Sequence, residues 1–258
     1  MFINDRDFRQ ETLEIPAETK TLFFLRNILT RDAIKSIHCH RLAMHCNSMT
    51  SRGFALLLDI VPQLGTLILW KNKISKFHPN TYRALARHLS PTLKVLKIME
   101  MPFFDCYFIC KKLRTHEHLE HLDLSFNPKI SVRAIVHMLK ENKHLKTLVL
   151  KNVGLRGKRS RRIAHVLCHH NHTLTTLYLL WNRISIGTIF NYFYGRVCFL
   201  EHIEKLLITL PSHPRILEKL FSLHDFPFHK VFPLEKRMQT QVQKMLQVKK
   251  KWLLFFLF

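Results

Sequence analysis

Glycine is scarce. The 258 residues hold only six, Gly53, Gly65, Gly154, Gly157, Gly187 and Gly195. None falls into a G-x-G-x-x-G or G-x-x-x-x-G-K-[ST] loop, so a phosphate-cradling nucleotide site is not expected. Acid is scarce too: 18 Asp and Glu stand against 41 Lys and Arg, a formal net charge of +23. That imbalance points to an acidic partner, nucleic acid or an anionic surface, and it bears on association rather than on fold. No apolar run reaches the roughly 18 residues that span a bilayer. The opening MFINDRDFRQ mixes acids and bases and has no apolar leader. The six cysteines, at 39, 46, 106, 110, 168 and 198, are scattered. Without a leader they are expected to be reduced and mostly buried in an intracellular compartment, the cytoplasm ahead of the nucleus.

Catalytic signatures are also missing. There is no G-x-S-x-G, no H-E-x-x-H and no catalytic-cysteine motif. With 18 histidines, chance proximity of a His to a Ser or Asp carries no weight. Neither enzyme activity nor a cofactor is expected. What is present is a globular composition, 47% hydrophobic and 23% charged, in a chain long enough to bury a sizeable core as one or two domains.

The dominant positive signal is a repeat. Leu-x-x-Leu-x-Leu fits at Leu64/Leu67/Leu69, Leu93/Leu96/Ile98, Leu119/Leu122/Leu124, Leu145/Leu148/Leu150 and Leu174/Leu177/Leu179. Weaker copies are read at Ile34/Ile37/Cys39 and Ile203/Leu206/Ile208, giving steps of 30, 29, 26, 26, 29 and 29 residues. Within each unit the Leu-x-Leu part alternates with period two, as a short strand does. The second part has helical spacing, as in Ile135, Met138 and Leu139, in Leu85 and Leu89, or in Ile189, Phe190 and Phe193. One strand plus one helix cannot bury its own apolar face, so the copies must stack, parallel strands on one side and helices on the other.

These residues resemble a known family. LxxLxLxxN followed by a helix, as in LEHLDLSFNPKISVRAIVHMLKENKHLKTLVLKNVGL (119–155), is similar to leucine-rich repeats of the ribonuclease-inhibitor-like class. The resemblance covers about residues 34–211 and implies an α/β solenoid. That fold is a horseshoe segment with strands on its concave side and helices on its convex side. Eight residues after the start of each copy stand Leu42, Asn72, Met101, Asn127, Val153, Asn182 and Pro211. Asn thus recurs every second copy, and its amide is expected to satisfy free backbone groups where the chain leaves the strand. Residues 1–33 and 212–258 fit no repeat and are expected to be caps or flanking segments.

If the leucines point inward, the residues between them point outward from the strands. Three outward stripes result: Ser36, Thr66, Val95, His121, Thr147, Thr176, Lys205; His38, Ile68, Lys97, Asp123, Val149, Tyr178, Leu207; and His40, Trp70, Met99, Ser125, Lys151, Leu180, Thr209. The expected partner-binding residues are Ile68, Trp70, Lys97, Met99, His121, Asp123, Lys151, Tyr178 and Leu180, because exposed aromatic and apolar side chains dominate protein interfaces. The expected partner is a protein with an acidic surface.

Other segments are weighed against plainer readings. RGKRSRR (156–162) offers Arg156, Lys158, Arg159, Arg161 and Arg162 as a nucleic-acid or nuclear-import patch. A solvated helix face explains it better, since no aromatics interleave with the bases. HVLCHHNH (165–172) places Cys168, His169, His170 and His172 together, but it aligns with an ordinary helix-to-strand turn, and no metal is expected. Cys106 and Cys110 are read as buried small hydrophobes. The ending KKKWLLFFLF suits an anionic membrane surface, a partner groove or the stray end of a truncated product. The function expected is non-enzymatic protein binding as adaptor, scaffold or inhibitor. The alternatives are a basic nucleic-acid or anionic-surface binder, or the repeat region of a larger intracellular sensor.

Overall fold

The computed structural model of the chain describes residues 1–6, 19–25, 28–29, 39–50, 64–75, 80–101, 104–185, 188 and 202–208. Nine strands form one open, all-parallel sheet: β1 (Phe2–Asn4), β2 (Thr21–Leu25), β4 (Arg41–His45), β6 (Thr66–Trp70), β8 (Val95–Met99), β9 (His121–Asp123), β10 (Thr147–Val149), β11 (Thr176–Leu179) and β12 (Lys205–Ile208). They lie side by side in chain order. A second, three-stranded parallel sheet joins β3 (Ile28–Leu29), β5 (Ser48–Thr50) and β7 (Lys73–Ser75). Among the described residues four helices alternate with the later strands: α1 (Asn80–His88), α2 (Tyr107–Leu113), α3 (Val132–Glu141) and α4 (Lys158–His169). The architecture is a repeat-like α/β fold.

The leucine pattern sets the register. Leu67, Leu96, Leu122, Leu148, Leu177 and Leu206 pair strand to strand, and all are buried. Their side chains share one core with Leu85, Ile109, Ile135 and Ile163 of the four helices. In α3 the Ser131 hydroxyl caps the helix by accepting from Ala134 N at 3.3 Å. Ile135, Met138 and Leu139 of that helix are fully buried, each stabilising by about 1.5–3 kcal/mol through loss of apolar surface to water.

Six consecutive copies, those of β4, β6, β8, β9, β10 and β11, leave their strands through the same backbone device. Cys46, Lys71, Glu100, Phe126, Asn152 and Trp181 all have positive φ, at 49–62°. The residue that follows each one is buried: Asn47, Asn72, Met101, Asn127, Val153 or Asn182. The Asn127 amide donates to Ile98 O (2.7 Å), Leu124 O (2.9 Å) and Ser125 O (3.2 Å), and its oxygen accepts from Met101 N (3.0 Å). Asn182 does the same two copies on, donating to Leu150 O and accepting from Val153 N and Leu155 N. The expected structural role of these asparagines is what the geometry shows.

Three expectations need correction. The first copy is not built on Ile37 and Cys39: β4 begins at Arg41, and Leu42 and Met44 pair with Leu67 and Leu69. Cys39 takes the leading-leucine position and is buried, as expected of a core residue, and burial pushes its thiol up to about 11. With that shift the turn residue of the first copy becomes Asn47 rather than Leu42. Asn47 donates to Phe24 O at 3.1 Å and to the Asn72 side-chain oxygen at 3.0 Å. Asn therefore stands in two consecutive copies, so the strict alternation fails at this end. Second, residues 1–33 do not all lie outside the pattern, because β1 and β2 extend the same sheet in parallel register. Third, Cys168 is disulfide-bonded rather than reduced, whereas Cys39, Cys46, Cys106 and Cys110 are free thiols. Ile34, Ser36, Ile37, His38, Ile189, Phe190, Phe193, Thr209, Pro211 and the segment 212–258 lie outside the described residues.

Candidate functional site

The face of the sheet away from the helices carries the residues between the leucines. Along β6 and β8 burial alternates as expected, with Leu67, Leu69, Leu96 and Ile98 buried and Ile68, Lys97 and Met99 partly open. The strand pairing puts Ile68, Lys97, Asp123, Val149, Tyr178 and Leu207 in one row and Thr66, Val95, His121, Thr147, Thr176 and Lys205 in another. The first copy contributes Arg41, Ala43 and His45 to these stripes, in place of the expected Ser36, His38 and His40.

The nine expected residues do not form one cluster. Trp70 lies on β6 and Tyr178 on β11, four strand steps apart, or about 19 Å at the usual spacing. The first grouping is a Trp70 patch. Trp70 pairs with His45 and Met99 across β4–β6–β8 and is 42% exposed. Its indole stacks on the His45 ring at 4.3 Å and 11°. The indole Nε1–H donates to Glu100 Oε2 at 3.0 Å, while Glu100 also pairs with Lys71 at 3.2 Å. The Trp70 hydrogen bond, helped by Lys71, holds the Glu100 carboxyl below its usual range. A stacked, tethered tryptophan loses little rotamer freedom when a partner covers it, which favours its use as an anchor.

The second grouping is a basin of about 380 Å³ that spans β8 to β12. Lys97, Lys151 and Lys205 surround it, with Tyr178, His121 and Asp123 among its lining. The Lys151 and Lys205 amines each lie 5.4 Å from the centre of the Tyr178 ring. Asp123 is less available than its stripe position implies. It is buried and accepts from both the N–H (2.9 Å) and the hydroxyl (2.5 Å) of Ser125. The His121 Nε2 atom is shielded from water with no hydrogen-bond partner. Burial, aided by Lys97 and opposed by Asp123, lowers the His121 pKa. Leu180 belongs to neither grouping; it follows the last residue of β11 and is partly buried.

The basic patch sits on the opposite side. Arg156 precedes α4, and Lys158, Arg159, Arg161 and Arg162 fill its first half, with no acid in the first turn. Cations at a helix N-terminus oppose the macrodipole. Arg159 is held at Gly154 O (3.4 Å) and Ile130 O (3.3 Å), whereas Arg156, Lys158, Arg161 and Arg162 are exposed. The buried side of α4 is Ile163, Ala164, Val166 and Leu167, so the patch is a solvated helix face in its placement. Cys106 and Cys110 are fully buried, with the Cys106 thiol donating to Ser131 O at 3.5 Å. Contact with Cys106, then burial, drives the Cys110 thiol upward. Among the described residues no group of three His, Cys, Asp or Glu is placed to hold a metal ion. None of the described helices is long and apolar enough to cross a membrane.

Sequence reading missed several residues. Trp181 is 49% exposed beside Phe126, with ring centroids 5.5 Å apart and Lys151 Nζ 6.0 Å away. Both occupy left-handed turn positions rather than stripes, and only their aromatic character signalled them. A second buried ladder was also missed, at the turns from helix to strand. Ser90, His116, Asn142 and Asn171 each accept from backbone N–H groups two or three residues on. No protein-family model and no curated protein sequence matches this chain.

Proposed function

We propose that the chain is a leucine-rich-repeat solenoid of the ribonuclease-inhibitor-like type and that it works as a non-enzymatic protein-binding module. On this reading the nine-stranded sheet lines a concave face and the helices form the convex one. The repeats run from the N-terminal strands through β12. The observation that carries the reading is the Trp70 patch. A tryptophan stacked on His45 and pinned by Glu100 stays 42% exposed beside Met99, on a face that no described helix covers. Such preorganised aromatic anchors commonly carry 2 kcal/mol or more of binding energy when truncated (about 30-fold). A specific interface buries on the order of 800 Å² per partner, which a face of this many strands can supply.

The test is affinity capture at low and moderate salt, wild type beside the Trp70→Ala/Met99→Ala/Tyr178→Ala variant. A partner lost by the folded variant supports the reading; equal retention by both contradicts it.

A second reading has its own observation. Helices α1 to α4 carry ten Lys and Arg, from Arg83 to Arg162, against the single acid Glu141, and Glu141 is bonded to Arg114. A polyanion such as nucleic acid would bind such a surface with a steep salt dependence, and neutralising Arg161 and Arg162 would lower the slope.

A further inference from the structure

The basin on the open strand face adds a ligand class to the protein-binding reading, on which it rests. We propose that the basin receives an acidic segment of the protein partner, with one Asp or Glu carboxylate seated by the Lys151 and Lys205 amines at Tyr178, in a basin that Lys97 also lines. Three cations share a cavity of about 380 Å³ with one acid, and that acid is already engaged twice by Ser125. Two of the amines lie 5.4 Å from the same tyrosine ring, Lys151 from just past β10 and Lys205 from β12, on either side of β11. Holding like charges together costs free energy that an incoming anion recovers. The basin has no arginine, so neither a carboxylate nor a phosphate meets a two-point fork there; its lysines act as point charges, and the total charge of the ligand decides between the two. Asp123 among the lining residues disfavours a doubly charged group. Tyr178 supplies the aromatic contact typical of peptide recognition.

His121 makes this occupancy measurable. The groups that act on it are Lys97 on β8, which disfavours its protonation, and Asp123 on its own strand, which favours it. From β10 to β12 the basin also presents Lys151, Tyr178 and Lys205. A bound carboxylate adds a negative charge nearby and raises the pKa of His121. Protonated His121 then strengthens binding. Affinity is therefore highest below the free-state pKa of His121 and declines as pH rises through its bound-state value.

The probe is a fluorescein-labelled hexaglutamate peptide, titrated by anisotropy against three full-length proteins. These are wild type, Lys151→Ala/Lys205→Ala in the basin and Arg161→Ala/Arg162→Ala on the helix face, the last two each removing two charges. The basin variant should lose about 10-fold in affinity and the helix variant no more than about 2-fold, as expected for close and remote charges respectively. The His121 ring proton, followed by NMR across pH, should titrate at a higher midpoint when the peptide is present. Equal losses in the two variants would overturn the proposal, as would an unmoved His121 midpoint. So would a single-stranded oligonucleotide that binds more tightly than the peptide through Lys151 and Lys205. If Lys151→Gln/Lys205→Gln keeps full peptide affinity while the Trp70 triple variant loses its partner, the acidic-segment proposal falls and the binding-face reading stands. If the triple variant keeps its partner, the binding-face reading itself falls.

Discussion

The two surfaces of this molecule are built by the same repeat but obey different rules. On the helix side, α3 and α4 show one apolar stripe facing the core and a basic outer surface, with Arg133, Lys140, Arg161 and Arg162 all exposed. The chemistry there changes little from copy to copy. On the open strand side each row changes chemistry at every step: Ile68, Lys97, Asp123, Val149 and Tyr178 stand in line at one register position. A uniform face suits nonspecific attraction to anything acidic, whereas a varied face can discriminate. On the proposed reading, the helices supply long-range attraction and the strands recognition.

The comparison holds only if both faces rest on one frame, and the largest expected effect comes from breaking it. Asn127→Ala removes an acceptor from Met101 N and donors from Ile98 O, Leu124 O and Ser125 O. Leaving those buried groups unpaired should cost about 3 kcal/mol or more in urea unfolding. A loss below about 1 kcal/mol would show that the asparagine ladder is not structural.

A mid-sized effect tests the turn ladder beneath the helix side. His116 donates from Nε2 to Ser90 O at 3.0 Å and accepts at Nδ1 from Leu119 N at 3.2 Å, which requires a neutral ring. Burial, with help from Lys112, lowers its pKa. A folded pKa below the ordinary 6.5 means that its stabilisation is complete above that value. It is lost as pH falls from there toward the folded pKa. The urea midpoint should therefore drop on acidification below about pH 6.5. His116→Asn, which installs the residue used at Asn142 and Asn171, should flatten part of that dependence. An unchanged profile would remove His116 from the account.

Smaller effects sharpen the contrast between the faces. Arg161→Gln/Arg162→Gln should leave the unfolding free energy within about 0.5 kcal/mol, since exposed charges contribute little. A large loss would mean that these side chains are structural. The least effect is expected from Glu100→Gln. Its tie to Lys71 is exposed and contributes under about 1 kcal/mol, yet the change loosens the Trp70 indole. Near-ultraviolet circular dichroism of the tryptophan should change while the unfolding midpoint stays put.

The central strands were legible in the sequence because leucine, with Ile98 the one exception, fills their inward positions from Leu64 to Leu179. The first copy was misplaced because cysteine and methionine do leucine's work there. Cys39, Leu42 and Met44 fit the shape of the core but not the letter pattern, whereas Ile34, Ile37 and Cys39 fit the letters. The same substitution of role for letter hid β1 and β2, whose inward residues are Ile3, Leu22 and Phe24. It also hid the turn ladder, where Ser90, His116, Asn142 and Asn171 perform one task with three residue types. From β6 onward the first two stripes match the register of the strand pairing, but their accessibility was not legible. Asp123, Ser125 and Val149 are buried on the open face because their neighbours shelter them. That Lys205 and Lys151 meet at Tyr178, in a basin that Lys97 also lines, depends on strand adjacency, which no single repeat displays.

The most direct test sets the two faces against each other in one quantitative capture experiment. Wild type, the Trp70→Ala/Met99→Ala/Tyr178→Ala variant and the Arg161→Ala/Arg162→Ala variant are compared at about 150 mM salt, where remote exposed charges are largely screened. If the strands recognise the partner, the triple variant loses it and the helix variant retains it. Loss confined to the helix variant would contradict the assignment of recognition to the strand face.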